Sequence, residues 1–271
     1  MGRAQRRLLA NLLLATLPAD HGVIVVNTGV GGTGFVDKKW NVPSTNATYP
    51  KDGVLAAASV NAIMKLHAVQ PMALPGNYVF HAMLWHQGED DAGDNCWPDQ
   101  FPCRQKPVQH FKSTYCNYLQ NDMGKLIDYF RSRFPGASAG TPFIDGGLLP
   151  YWTEAASACS QSVFCNNSGS KPVMDAIYAL NTSRACTGTA DSRIFSDFQA
   201  DGKTPNGDPG CRSGITGDVI HFNATQAVMM GHQYWAAYQR ALMVTTPVAS
   251  AKTAACNTGG DAVPPVVTCT K

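Results

Sequence analysis

An aspartate and a histidine near the end of the chain have the spacing of a catalytic acid–base pair. His221 follows Asp218 by three positions in the segment G-D-V-I-H-F-N. This spacing lets the carboxylate accept a hydrogen bond from one imidazole nitrogen, which leaves the other nitrogen free to take a proton from a hydroxyl. The same pair also occurs where a histidine only packs or caps before a helix, so on its own it leaves both interpretations open.

A second candidate lies where an apolar run of eight residues, 78–85, ends. The run is followed by H-Q-G-E-D-D at residues 86–91. Open parallel sheets bind ligands at the carboxyl ends of their strands, so this position predicts a site that includes Gln87 and Glu89. The alternative is a solvated loop that follows a strand.

The third candidate is the glycine-rich segment N-T-G-V-G-G-T-G at residues 27–34, which follows the apolar run 23–26. Glycines let the backbone approach a substrate closely, so the N–H groups of Gly31 and Gly32 are candidate donors to a developing oxyanion. A tight turn with no further role is the structural alternative. Nucleotide binding is a weaker one, because the segment does not match the phosphate-binding loop patterns.

The elements that must position these segments follow an alternating pattern. Strand-like apolar runs at residues 23–26, 78–85 and 143–149 alternate with helix-length segments at 54–68 and 111–134, and a final amphipathic helix is predicted over 224–244. The alternation predicts an α/β fold with a parallel sheet and helices on both faces. We expect one domain over residues 1–246 and an extended cysteine-containing tail over 247–271.

The first twenty residues fit two descriptions. A basic start followed by an apolar run at residues 8–17 is typical of a secretory leader. Apolar residues at helical spacing, leading into the run 23–26, favour a core helix instead, and we adopt that interpretation. No apolar run is long enough to predict a membrane span.

Composition indicates a secreted protein. The chain has nine cysteines and no C-x-x-C pair, so disulfides in long loops are a better interpretation than zinc ligation. Nine is an odd number, so at least one thiol is free or pairs elsewhere. N-glycosylation sequons begin at Asn46, Asn166, Asn181 and Asn223; we expect glycans at the first three. The formal net charge of +2, without a basic block, argues against a nucleic-acid partner.

The three segments occur in the order of a known superfamily. V-G-G-T-G-F at 30–35, W-H-Q-G-E-D at 85–90 and D-V-I-H-F-N at 218–223 resemble blocks of the sialate O-acetylesterase-like and plant acetylxylan-esterase-like SGNH/GDSL hydrolases. The resemblance covers about residues 8–241. It implies a three-layer α/β/α fold with a doubly wound, mostly parallel, flavodoxin-like sheet. The implied function is a secreted carbohydrate O-acetylesterase that acts on an acetylated sugar and needs no metal or organic cofactor.

Roles for individual residues also come from the resemblance. Gly31 and Gly32 match the backbone oxyanion donors, and Gln87 matches the side-chain donor or substrate-orienting residue, with Glu89 beside it. Asp218 and His221 match the acid and base of a Ser-His-Asp triad.

The nucleophile is where the sequence departs from the pattern. In the family the serine lies in a turn after the first strand, upstream of the glycine-rich block, whereas the first serine here is Ser44, downstream of it. The nucleophile is therefore unknown, and we expect the first strand to be missing. Either the chain is a fragment of an esterase, or it is a non-catalytic carbohydrate-binding relative in which Trp40, Trp85 and Trp97 stack on sugar rings.

Overall fold

The structure is a computed structural model. It describes residues 3–35, 37–43, 52–73, 78–92, 115–149, 171–195 and 222–245. The helices in these ranges are α1 Arg3–Leu14, α2 Val54–Ala73, α3 Glu89–Ala92, a π-helix Asn117–Gly124, α4 Lys125–Arg133, α5 Lys171–Ser183 and α6 Ala224–Ala241. The strands are β1 Met83–Trp85, β2 Phe143–Gly146 and β3 Thr187–Ala190.

The three strands form one parallel sheet in the order β1-β2-β3. Trp85 is paired with Asp145, and Asp145 with Thr189. Parallel neighbours need a crossover connection, and α4 and α5 lie between consecutive strands in the chain. The predicted α/β fold with a parallel sheet is confirmed for these strands, as are the helices predicted over 54–68 and 224–244.

Helices pack against both faces of the sheet. On one face, Met83, Trp85 and Phe143 belong to a hydrophobic cluster with α2, the π-helix, α4 and α5. On the other face, Ile144 and Ala190 pack with α1 and α6. Successive side chains of a strand point to opposite faces, and for this reason the neighbours Phe143 and Ile144 lie in different clusters.

The sequence did not predict strand β3. Its residues, T-G-T-A, lack the bulky side chains typical of buried strands. A Cβ atom at Gly188 would collide with the backbone carbonyl oxygen of Ala237 in α6. The strand is therefore built from small residues because α6 lies directly on it.

The strand predicted over 23–26 is wrong. These residues have no strand structure, and Ile24, Val25 and Val26 are 52%, 43% and 39% exposed. Among the described strands β1 pairs only with β2, so residues 23–26 do not extend the sheet beside β1. Hydrophobicity and β-branching favour a strand only where a neighbour supplies ladder hydrogen bonds, and here none does.

Helix α1 packs against α6. Leu9 is buried in the cluster that contains Met230 and Tyr234. Gly231 provides the room, because a Cβ atom there would lie 2.9 Å from Cδ2 of Leu8. The apolar run 8–17 thus contributes to the core through its helical part.

Two cysteines fall within the described ranges. Cys116 precedes the π-helix and Cys186 precedes β3, and both are disulfide-bonded. None of the described helices combines the length and hydrophobicity needed to cross a bilayer.

Candidate functional site

A buried polar cluster lies at the carboxyl end of β1. Trp85 ends the strand, and His86 follows it. The Tyr234 hydroxyl of α6 donates to the Trp85 carbonyl oxygen at 2.6 Å and lies 3.0 Å from Nδ1 of His86. Because the hydroxyl proton is already used, Nδ1 of His86 must donate to Tyr234, so its Nε2 carries no proton.

His86 is neutral in this site. Burial lowers the pKa of its imidazole to about 3. Its Nε2 lies 3.5 Å from Oε1 of Glu89, but it makes no hydrogen bond. A contact of this length with a neutral ring is not an ion pair. The desolvation of the buried imidazole, and not the nearby carboxylate, therefore determines the pKa of His86.

Gln87 is held at both its side chain and its main chain. Its Nε2 donates to Oδ2 of Asp91 at 2.6 Å. The hydroxyl of Tyr118, from the π-helix, donates to its carbonyl oxygen at 3.1 Å. The side chain is 8% exposed, and its Oε1 has no hydrogen-bond partner.

Asp91 connects this cluster to the glycine-rich segment. The backbone N–H of Phe35 donates to its Oδ1 at 2.9 Å and to its Oδ2 at 3.2 Å. A Cβ atom at Gly34 would lie 2.8 Å from Oδ1 of Asp91. The V-G-G-T-G-F and W-H-Q-G-E-D segments are thus joined at one buried carboxylate, a residue that the sequence analysis did not single out.

Gly31 and Gly32 lie on the exposed part of the same loop. Gly32 has φ +65°, a conformation that favours glycine, and nothing lies within 4 Å of a Cβ atom built at Gly31. The close backbone approach occurs at Gly34 instead. Nucleotide-binding turns lead directly into a helix, whereas the described residues 37–43 after this loop form none.

The third segment reaches the cluster through its described residues. Asp218 and His221 lie outside the described ranges. Phe222 is described, and its ring centroid is 5.3 Å from that of His86. Asn223 caps α6 through a capping box with Gln226.

Asp145, at the carboxyl end of β2, is a further site residue that the sequence analysis missed. Its side chain is completely buried, and neither oxygen has a hydrogen-bond partner. Burial raises the pKa of this carboxyl well above its usual range, and it also raises the pKa values of Tyr118 and Tyr234. The sequence feature that could have identified Asp145 is the segment F-I-D-G-G, in which an aspartate interrupts an apolar run and precedes two glycines.

No described serine has the properties of a nucleophile. Ser192 follows β3 at the same edge of the sheet, but it is completely buried. Its hydroxyl donates to the Leu148 carbonyl oxygen at 2.5 Å and lies 3.3 Å from the Tyr178 hydroxyl. Ser192 therefore has a structural role in tying the loops after β2 and β3 together.

In the described parts of the chain, no three His, Cys, Asp or Glu side chains are arranged to hold a metal ion. Trp40 and Trp85 are 3% and 8% exposed and pack edge to face at 4.9 Å, so neither can stack on a sugar ring. No protein-family model matches the chain, and no curated protein matches it.

Proposed function

We propose that this chain forms the α/β domain of a carbohydrate O-acetylesterase of the SGNH type, with its site at the carboxyl end of β1. The observation that supports this most is the convergence of the three motif segments. Asp91 binds the Phe35 N–H, and Phe222, next to His221, packs on His86. Segments that are far apart in the sequence thus meet where parallel sheets bind ligands.

In this proposal, hydrolysis follows the serine-type scheme. His221 takes the proton of the serine hydroxyl as it attacks the acetyl carbonyl and gives that proton to the leaving sugar oxygen. Water, deprotonated by the same imidazole, then cleaves the acetyl-enzyme to acetate and restores the serine, while Asp218 holds the imidazole in the required tautomer. Backbone N–H groups of Gly31 or Gly32, with the amide of Gln87, stabilise the oxyanion. Glu89 lies beside them as a substrate-orienting residue. No metal or organic cofactor is needed.

In this proposal the sheet contains a further central strand, and the fold is a three-layer, doubly wound arrangement. Two observations support it: among the described strands β1 has a neighbour on one side only, and Ile24, Val25 and Val26 are exposed. By the family resemblance, the nucleophilic serine belongs to the turn after this additional strand.

We further propose that the protein is secreted and acts on an acetylated carbohydrate. The disulfide-bonded Cys116 and Cys186 support an oxidising compartment. Asn46 and Asn166 lie outside the described residues. Asn181 is half-buried in α5 with its Oδ1 fully buried, which makes it a less accessible glycan acceptor than a loop asparagine.

Acetate release tests the proposal directly. The chain, expressed together with the segment that carries the proposed additional strand and its serine turn, is incubated with an acetylated sugar and with a chromogenic acetate ester, and acetate is quantified for this wild-type protein and its His221→Ala variant. We expect the variant to lose at least about 1,000-fold in kcat. His232→Ala, which changes an exposed histidine of α6, is the matched control. Equal turnover by wild type and His221→Ala would contradict the assignment.

A non-catalytic carbohydrate-binding protein is the second candidate. The observation that favours it is the structural role of Ser192, the one described serine that directly follows a strand at this edge. Calorimetric titration with the acetylated sugar separates the two functions. Binding without acetate release supports this candidate, and acetate release that depends on His221 rules it out.

A further inference from the structure

We propose that Asp91 is a positioning residue that holds the two predicted oxyanion donors, the Gln87 amide and the glycine-rich loop, side by side. This inference rests on the proposed esterase function. Asp91 is completely buried, and its carboxylate accepts hydrogen bonds from both segments. Motif comparison did not assign it a role.

The first step concerns the orientation of the Gln87 amide. An ionised carboxylate only accepts hydrogen bonds, so it selects the NH₂ end of the amide over the carbonyl end. The 2.6 Å contact between Gln87 Nε2 and Asp91 Oδ2 is short, as expected for a bond to a charged acceptor. One amide N–H is used in this bond, and the second remains available to an oxyanion.

The second step concerns the glycine-rich loop. Oδ2 of Asp91 also lies 3.2 Å from the Phe35 nitrogen, so one oxygen atom touches both the Gln87 amide and the end of the loop. Gly34 allows this approach, since any side chain there would meet the carboxylate. Asp91 therefore holds the end of the glycine-rich loop against the Gln87 amide.

The third step is the main-chain support of Gln87. Tyr118 donates to the Gln87 carbonyl oxygen, so the main chain stays in place when the side-chain bond is removed. Loss of the Asp91 carboxylate should then release the amide and the loop without displacing the strand. The expected defect lies in transition-state stabilisation more than in substrate binding.

The variant Asp91→Asn tests the positioning role. Asparagine has the shape of aspartate, but its NH₂ group can donate to Gln87 Oε1, which permits the Gln87 side-chain amide to flip. In the full chain we expect the Phe35 amide to exchange with solvent at least about 10-fold faster. The Gln87 side-chain amide resonances should shift, and the β2 amides should be unchanged. With the acetylated sugar, kcat should fall by roughly 10- to 100-fold, and KM should change by less than about 3-fold.

Two further variants separate positioning from folding. Asp128→Asn removes the charge of a carboxylate that is 62% exposed and far from the site, and it should leave all these values unchanged. Gly34→Ala displaces the Asp91 carboxylate without changing any charge, and it should give the same kcat defect. Gly31→Ala, with open space around the added methyl, is the steric control for Phe35 exchange.

The outcomes distinguish this inference from the proposed function. Unchanged Phe35 exchange and Gln87 resonances in Asp91→Asn would overturn the positioning role, as would a uniform loss of protection across the sheet. If wild type releases no acetate, the esterase proposal fails, and the exchange and resonance measurements alone decide whether Asp91 holds the two segments together.

Discussion

At the scale of single residues, His86 and Asp145 are buried ionisable groups at the ends of neighbouring strands. Burial disfavours the charged form of each, so it lowers the pKa of the imidazole and raises that of the carboxyl. Gly146 is required between them, since a Cβ atom there would collide with His86 Nδ1 and the Tyr234 hydroxyl. Both shifts favour the neutral forms of His86 and Asp145 next to the polar site.

We predict that His86 makes the protein less stable as the pH falls below 6.5. The folded-state pKa is about 3, so between these values the unfolded chain binds a proton that the folded chain does not. The free energy of unfolding should decrease by up to about 1.4 kcal/mol per pH unit. Urea unfolding of wild type and His86→Gln at pH 7.5, 6.5 and 5.5 measures this.

The variant should have the flatter profile, because glutamine cannot take up the proton. His232→Gln changes an exposed histidine and should follow wild type. Identical slopes for wild type and His86→Gln would show that the buried imidazole is protonated in the folded state. Other groups titrate in the same way in all three proteins, so their contribution cancels.

At the scale of elements, helix α6 connects the sheet, helix α1 and the polar cluster at the end of β1. It packs on β2, β3 and α1, and its Tyr234 holds the end of β1. Its first turn begins directly after the residues predicted to carry the acid and base. The site therefore depends on the N-terminal capping of α6 and on the packing of α6 against β3.

The capping box of α6 gives a stability prediction. The Asn223 side chain accepts from the Gln226 N–H, and the Gln226 side chain accepts from the Asn223 N–H. Asn223→Ala should lower the free energy of unfolding by about 1 kcal/mol, whereas Asn223→Asp should keep it within about 0.5 kcal/mol. Both variants remove the sequon, so a difference between them in urea unfolding cannot come from a glycan.

The packing of α6 on β3 predicts a sharper effect at Gly188. An added methyl would meet the Ala237 carbonyl oxygen, a backbone atom that cannot rotate away. Gly188→Ala should therefore cost about 1–3 kcal/mol of unfolding free energy. Gly22→Ala, where nothing lies within 4 Å, is the control and should change stability by less than about 0.5 kcal/mol. Equal stabilities would contradict the direct contact of α6 with β3.

At the scale of the whole molecule, sequence patterns identified the features that depend on local periodicity. The helix over 54–68, the final helix and the polar segment after β1 are of this kind. Features set by neighbours distant in sequence were not predictable. Strand β3 consists of small residues because α6 lies on it, and Asp91 is a connecting residue only because the chain returns to the glycine-rich segment 56 positions after Phe35.

The run 23–26 shows that local composition can also predict a strand that does not form. Its composition is typical of a buried strand, but whether it becomes one depends on a partner edge. Ile24, Val25, Val26 and Val30 remain 39–52% exposed, and Val79, before β1, is 59% exposed. Exposed apolar side chains of this kind form a surface on which chains associate.

We therefore predict that Val25→Lys reduces self-association of the purified chain. A lysine places a charge in the exposed apolar run, and such charges are a common means of blocking edge-to-edge pairing. Val228→Lys is the matched control: Val228 is also 43% exposed, but it lies on α6, whose backbone hydrogen bonds are satisfied within the helix. Light scattering over a range of protein concentrations should show a lower apparent mass for Val25→Lys than for wild type and Val228→Lys. If both variants reduce the mass equally, exposed hydrophobicity in general causes association, and the run 23–26 has no special role.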